Sequence, residues 1–201
     1  MAITNYGELK TALDNWLSRT DLSSRIPEFI ALAEDVIAQK LKVRGMETST
    51  DLTVDDQTVG LPTRFKAARR IYLAGDPVRP LLLLTPQVFW TRFLSSQTGR
   101  PVAYTIEGEN FVFGPTPDIS YTGKLLYYQR FAALSADGDT NTILSNYRGL
   151  LLFGALIEAE PFLGNDPRTL IWATKFDDLL EAVLLADEQD RFSGAPQVMQ
   201  R

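Results

Sequence analysis

Residues 102–131 read VAYTIEGENFVFGPTPDISYTGKLLYYQRF, and their period of two decides the fold class. Val102–Glu107 and Phe111–Gly114 flank Gly108-Glu109-Asn110. Gly and Asn both tolerate a positive φ, so the spacing predicts a tight hairpin. Pro115-Thr116-Pro117-Asp118 turns the chain again, and Tyr121–Phe131 predicts a long, aromatic-rich strand. The same period extends upstream. Leu52 and Val54 alternate with polar neighbours, Asp55-Asp56-Gln57 predicts a turn, and Val59 and Leu61 return, which reads as a second hairpin. Arg69–Leu73 and Pro77–Leu84 read as strands on either side of Gly75-Asp76. Thr85-Pro86 reads as an N-cap followed by Pro at the first helical position. The short helix that follows presents Val88, Phe89, Phe93 and Leu94 inward and ends near Gly99.

On both sides of this block the period is helical. Tyr6, Leu9, Leu13, Trp16 and Leu17 predict a helix over about 5–18, with Asn5 and Glu8 spaced like a capping box. Ile26, Phe29, Ile30, Ala33, Val36, Ile37 and Leu41 predict a second over about 25–44, with Pro27 in its first turn and Gly45 at its end. Asp137–Asn141 reads as a solvated linker. From Ile143 to Leu163 the chain is apolar almost all round a helix, which predicts burial on most faces. Asp166 and Pro167 then open a last helix with Trp172, Phe176, Leu179, Leu180, Val183 and Leu184 on one stripe. The short connection between these two helices predicts an antiparallel pair. The expected fold is α+β: N- and C-terminal antiparallel helices form a helical bundle, with an inserted antiparallel β-rich lobe carrying one short helix. The expected parts are helices over 1–45, the lobe over 46–134, a helical hairpin over 135–192 and a flexible tail over 193–201.

Composition narrows the chemistry. The chain has 201 residues, 45% of them hydrophobic and 22% charged, as in a folded globular protein. It contains neither Cys nor His. Disulfides, Fe–S clusters, Cys-type zinc sites and the Ser-His-Asp and Cys-His arrangements are therefore excluded. No apolar run approaches the ~20 residues that span a bilayer, so no membrane is expected as a partner. The start, MAITNYGELK, lacks a basic segment followed by an apolar one, so the expectation is a protein made in the cytoplasm. The net charge of −5 is uneven: residues 135–201 carry five basic and eleven acidic side chains, and residues 51–134 carry nine basic and seven acidic. An acidic chain lacks the electrostatic footprint of a nucleic-acid binder.

Each candidate site has a structural competitor. Asp137, Asp139 and Asn141 are spaced like the first three ligands of a calcium loop. The sixth position is Thr142 and the twelfth Arg148, where Gly and Glu are needed, so no metal is expected. Glu107 and Glu109 form a candidate carboxylate pair, but carboxylates beside a turn are commonly solubilising. Glu158 and Glu160 lie two apart on a helix and do not share a face. Arg64, Lys66, Arg69 and Arg70 concentrate positive charge and read either as a phosphate or DNA contact or as a charged strand edge. Trp90 and Tyr127-Tyr128 read as stacking platforms or as core aromatics. The chain contains no phosphate-binding glycine loop, and no cofactor and no catalytic residue are expected.

Three stretches in order resemble the head-to-tail adaptor (connector) proteins of tailed bacteriophages. The first is NYGELKTALDNWLSRTDLSSRIPEFIALAEDVIAQKLKVRGME, with Trp16-Leu17, Pro27, Phe29 and Ala33-Glu34. The second is RPVAYTIEGENFVFGPTPDISYTGKLLYYQRFAAL, with its Tyr-x-x-x-Gly hairpin, Gly-Pro-x-Pro turn and tyrosine-rich strand. The third is YRGLLLFGALIEAEPFLGNDPRTLIWATKFDDLLEAVLLADEQDRFSG, with Gly-Ala-Leu, Glu-Ala-x-Pro, Trp, Lys-Phe, Asp-Arg and Ser-Gly in sequence. Arg148-Gly149 departs from an expected Pro-Asp.

The resemblance implies a virion structural protein without catalysis. It implies a ring of about twelve copies on the phage portal protein, in the neck between head and tail, with DNA only as passing cargo. Tail, nozzle or other neck proteins are the implied partners on the far side. The ring would use heterologous contacts, and the apolar helix at 143–163 would either supply one such face or be buried within one subunit. The tail Phe192, Ser193, Gly194, Ala195, Pro196, Gln197, Val198, Met199, Gln200 and Arg201 is the expected partner-binding segment, with a frayed terminus as the alternative. The net negative charge suits a channel through which DNA slides. Two alternatives stand beside this one: another neck or tail-completion protein, and a carboxylate-dependent hydrolase of cell-wall or surface polysaccharide using Glu107 and Glu109. A DNA-binding regulator is the remaining alternative.

Overall fold

Asn5 starts the first helix, α1 (Tyr6–Leu17), because its extended backbone leaves its side-chain oxygen free to accept the Glu8 N–H at 2.9 Å. Glu8 reaches back beyond Asn5, to the backbone N–H and hydroxyl of Thr4, both at 2.7 Å. The helix ends where Ser18 turns left-handed. A computed structural model of the chain describes residues 3–75, 78–93, 96–164 and 166–192, without the side chains of 191 and 192.

The second helix, α2 (Ile26–Lys40), carries Pro27 in its first turn and buries Ile26, Phe29, Ile30, Ala33 and Ile37. It stops four residues short of the expected Arg44. Leu41 is extended, and Leu41 and Val43 are both fully buried. Residues two apart point the same way only on an extended backbone, so ending the helix inserts both side chains into the core.

The chain divides into two compact units, one built from Met1–Met46 with Phe131–Arg201 and the other from Glu47–Arg130. Among the described residues of the second unit, eight strands form two four-stranded sheets. These are β1 (Glu47–Val54), β2 (Thr58–Gly60), β3 (Phe65–Leu73), β4 (Arg79–Pro80), β5 (Leu82–Leu83), β6 (Ala103–Glu107), β7 (Asn110–Gly114) and β8 (Tyr121–Gln129). One sheet has the order β1-β8-β3-β4 and the other β2-β7-β6-β5. Their buried side chains share one core: Val54, Ile71, Leu73, Leu125 and Tyr127 from the first, Tyr104, Phe111 and Phe113 from the second. The β6–β7 hairpin forms as its spacing predicts, with Gly108 at φ 58° and Glu107 opposite Asn110.

Three β-stage expectations are corrected. Leu52–Leu61 is not a hairpin. β1 pairs along its whole length with β8, Glu47 opposite Tyr128 through Val54 opposite Tyr121, whereas β2 pairs with β7. The chain changes sheets across Asp55–Gln57, which lets Val54 and Val59 both face the shared core. Pro77–Leu84 is not one strand, although 76 and 77 lie outside the described residues. β4 pairs with β3, the buried Leu81 donates its N–H to Ile71 O, and Leu82 and Leu84 then donate to Val102 O and Tyr104 O of the other sheet. The lobe is not wholly antiparallel, because β5 and β6 pair parallel. Parallel neighbours need a crossover, supplied here by the short helix α3 (Pro86–Arg92). Phe89 and Phe93 pack on Ala103 and Val112. Gly114 permits this, since a Cβ there would lie 2.7 Å from the Phe93 ring.

In the first unit the expected helix over 143–163 is three: α4 (Thr142–Asn146), α5 (Arg148–Glu158) and α6 (Glu160–Leu163). Tyr147, at φ −133° and ψ 40°, interrupts the first junction, and Pro161 stands in the opening turn of α6. Gly164 ends α6 left-handed, and Asp166 accepts the Arg168 N–H at 2.9 Å at the start of α7 (Arg168–Phe192). α5 packs against α1, α2, α4 and α7 of the same chain. Gly154 allows close approach: a Cβ there would lie 3.1 Å from Ala33 of α2 and 3.3 Å from the Phe176 ring of α7. On α7, Trp172 and Phe176 are buried and Leu179, Leu180 and Val183 half-buried, but Leu184, expected on that stripe, is exposed.

The expected linker at Asp137–Asn141 is a fastening. Tyr6 and Gly7 donate their N–H groups to the carbonyls of Asp139 and Asp137, both at 2.9 Å. Asn141 is buried and uses its whole amide. Its oxygen caps Leu144 N at 3.0 Å, and its nitrogen donates to Glu34 Oε1 and Ala132 O, both at 2.8 Å.

Two stability outcomes follow from these contacts. Asn141→Ala removes a cap and leaves the Ala132 carbonyl unpaired, and should lower the unfolding free energy in urea by about 2 kcal/mol. Gly114→Ala should cost about 1–3 kcal/mol in the same assay, because the Phe93 ring must move.

Candidate interaction surfaces

Glu107 accepts the Trp90 indole N–H at 2.5 Å, which also fixes the half-exposed Trp90 ring edge-on to Phe89 at 5.2 Å. Glu109 sits in the hairpin turn, and its carbonyl accepts the Leu61 N–H. Asp137, Asp139 and Asn141 face three different partners. Asp137 pairs with Lys10 at 2.6 Å, and Asp139 accepts the N–H groups of Ser135 and Ala136. Those bonds, Ala136 foremost, hold the Asp139 carboxyl below the usual carboxylate range. Among the described residues no acidic cluster has the geometry to hold a metal ion. Glu158 lines a small cavity of about 210 Å³ with Lys40 and Asp177, between α2, α5 and α7.

The aromatic candidates divide. Tyr127 is buried and stacked on Phe65 at 5.7 Å, a core residue. Tyr128 is half-buried on the opposite face of its sheet. The surface of α5, apolar nearly all round, is spent on its neighbours within the chain, so simple burial accounts for it. On α7, Leu170 and Ile171 are 77% and 61% exposed. The expected partner segment Ser193–Arg201 lies outside the described residues, as does the side chain of Phe192.

The basic cluster lies on a strand edge. β3 is bonded to β8 on one side, but β4 covers its other side only at Tyr72 and Leu73. The part from Phe65 to Arg70 has no strand beside it among the described residues, and the Ile71 carbonyl accepts the Leu81 N–H. Arg64, Arg69 and Arg70 are exposed there, and Arg69 reaches over β8 to form an ion pair with Glu47. The cleft along this edge holds about 930 Å³ and includes Arg64, Phe65, Ala67 and Arg130 on one side and Leu83 and Ile106 on the other. The opposite edge of the same sheet is β1, unpaired on its outer side among the described residues, with Asp51, Asp55 and Asp56 exposed. Sequence reasoning placed the cations on an edge but did not see the acidic one. Asp55 and Asp56 read as the turn of a hairpin, and only the pairing of β1 with β8 shows that they lie beside the rim.

The family model for the SU10 adaptor protein matches residues 4–200. The chain belongs to the SU10 adaptor protein family. Set against curated proteins, it matches none. The family is one of phage adaptors, so the resemblance carried by the three stretches holds over nearly the whole chain. No described helix of this adaptor is long and apolar enough to cross a membrane.

One carboxylate in the adaptor is strained by its setting. Burial raises the Glu34 carboxyl above the usual range, and the bonds from Asn141 and from the Leu134 backbone offset part of that rise. A raised folded-state value means that stability is fullest below the ordinary carboxylate range and is lost as pH climbs through the raised one. Glu34→Gln keeps an acceptor for Asn141 and removes the charge. The variant should be more stable than the parent at pH 7 by up to about 1 kcal/mol, since solvent screens a half-buried group. The difference should shrink as pH falls to about 4, measured by thermal melts across that window.

Proposed function

We propose that this adaptor is a virion structural protein that assembles as a ring of about twelve copies on the portal, joins head to tail and continues the DNA channel. The observation that carries this is the family match over residues 4–200. The chemistry of the chain agrees with it. Asp137 pairs with Lys10 and Glu107 accepts the Trp90 indole N–H, and the surface offers strand edges and exposed apolar residues such as Leu82, Leu83, Leu170 and Ile171. On this reading the terminal helices act as one bundle, the segment 193–201 orders against the portal, and tail or nozzle proteins bind the far side. The net charge of −5 keeps passing DNA from adhering.

The test is the native mass of the protein mixed with the portal protein of the same genome. A complex with about one adaptor per portal subunit is expected. Free adaptor beside a correctly assembled portal ring would overturn the portal assignment and leave another neck or tail position.

A further inference from the structure

We propose that neighbouring copies in the ring meet edge to edge through the sheet that contains β1 and β3: the basic free edge of β3 in one copy receives the acidic edge of β1 in the next. The inference rests on the ring assembly proposed above and names the surface that closes it.

Four observations carry it. First, the sheet β1-β8-β3-β4 is open on both sides among the described residues: along all eight residues of β1 and along Phe65–Arg70 of β3. Open edges present unpaired backbone donors and acceptors, and a protein that leaves two of them in one sheet normally covers or blocks them. Second, the two edges carry opposite signs. Arg64 and Arg70 lie on one, and Asp51, Asp55 and Asp56 on or beside the other, all exposed. If charge served only to repel partners, one sign on both edges would do so. Opposite signs repel β1 from β1 and β3 from β3 but attract β1 to β3. They disfavour a two-fold dimer and favour a head-to-tail contact, the kind that builds rings. The Arg69–Glu47 pair across β8 shows the same attraction within one copy.

Third, the strand directions agree. β1 and β3 are each antiparallel to β8, so they run the same way. A small rotation between subunits therefore brings β1 of one copy alongside β3 of the next without reversing either, whereas a two-fold axis would set like edges together. Fourth, there is room. The cleft of about 930 Å³ lies along the free part of β3 and is lined by apolar Phe65, Leu83 and Ile106 and by Arg64, Arg130 and Glu109. β3 is irregular against β8 at Lys66 and Arg69, where the register shifts. Bulges bend a strand and raise its twist. Contact between copies then combines short stretches of backbone pairing with ion pairs rather than one continuous ladder.

Charge exchange in the full chain tests this. One variant carries Arg64→Glu and Arg70→Glu and is acidic on both edges. The other carries Asp51→Lys and Asp55→Lys and is basic on both. Assembly is read as native mass against concentration, with the portal protein present and absent. Each variant alone should need about tenfold or more protein than wild type to assemble. An equal mixture should assemble near the wild-type concentration as alternating subunits, because every contact then joins opposite charges. A misfolded variant would not be rescued by mixing, so the mixture separates lost contact from lost fold. Raising salt should weaken wild type and mixture alike. Variants that assemble as wild type does, or a mixture no better than its parts, would overturn the edge contact and leave the ring standing. Wild-type protein that stays monomeric with and without portal would overturn the ring, and the edge contact with it.

Discussion

A single buried amide closes the helical unit. The chain leaves that unit after Met46 and returns at Phe131, so helices far apart in sequence must build one core. Asn141 makes the return permanent. It binds Ala132 on the returning chain, Glu34 on α2 and the first turn of α4 with one side chain. The carbonyls of Asp137 and Asp139 hold the start of α1 in the same stroke. Burying an amide is costly unless every bond is made, and here three are. Glu34 bears part of that cost, which is why burial lifts its carboxyl.

The inserted unit solves a different problem. Eight short strands would leave many edges, and the fold disposes of several by moving the backbone from one sheet to the other. The chain changes sheets at Asp55–Gln57 and again at Leu81. Each crossing places apolar side chains in the shared core while ending a strand. In the sheet β1-β8-β3-β4 what remains open among the described residues is one edge of each charge, on a protein of a phage adaptor family.

Much of this was legible in the chain. The change from a helical period to a period of two, and back, marked the α+β class. Asn5, Pro27, Gly108, Asp166 and Pro167 acted as turn and cap residues for local reasons that hold in any context. The cations between Arg64 and Arg70 read as a strand edge from composition alone. The linker assignment at Asp137–Asn141 failed because polar residues look solvated in sequence. Their partners, Tyr6, Gly7, Lys10 and Glu34, lie more than a hundred residues away. The hairpin at Leu52–Leu61 failed for a related reason: alternation specifies that a strand exists, not which strand it pairs with.

By itself, then, the sequence determined the local periods, the caps, the absence of Cys and His chemistry and the family, because each of these depends on neighbours in the chain or on residue type. Only the tertiary structure decided where helices stop, at Leu41 and Tyr147, which strands share a sheet, and which charges stand on open edges. Those outcomes depend on burial and on long-range pairing. The side chain of Leu41 or Asn141 finds its place through what it packs against, and nothing in its sequence neighbours names that partner.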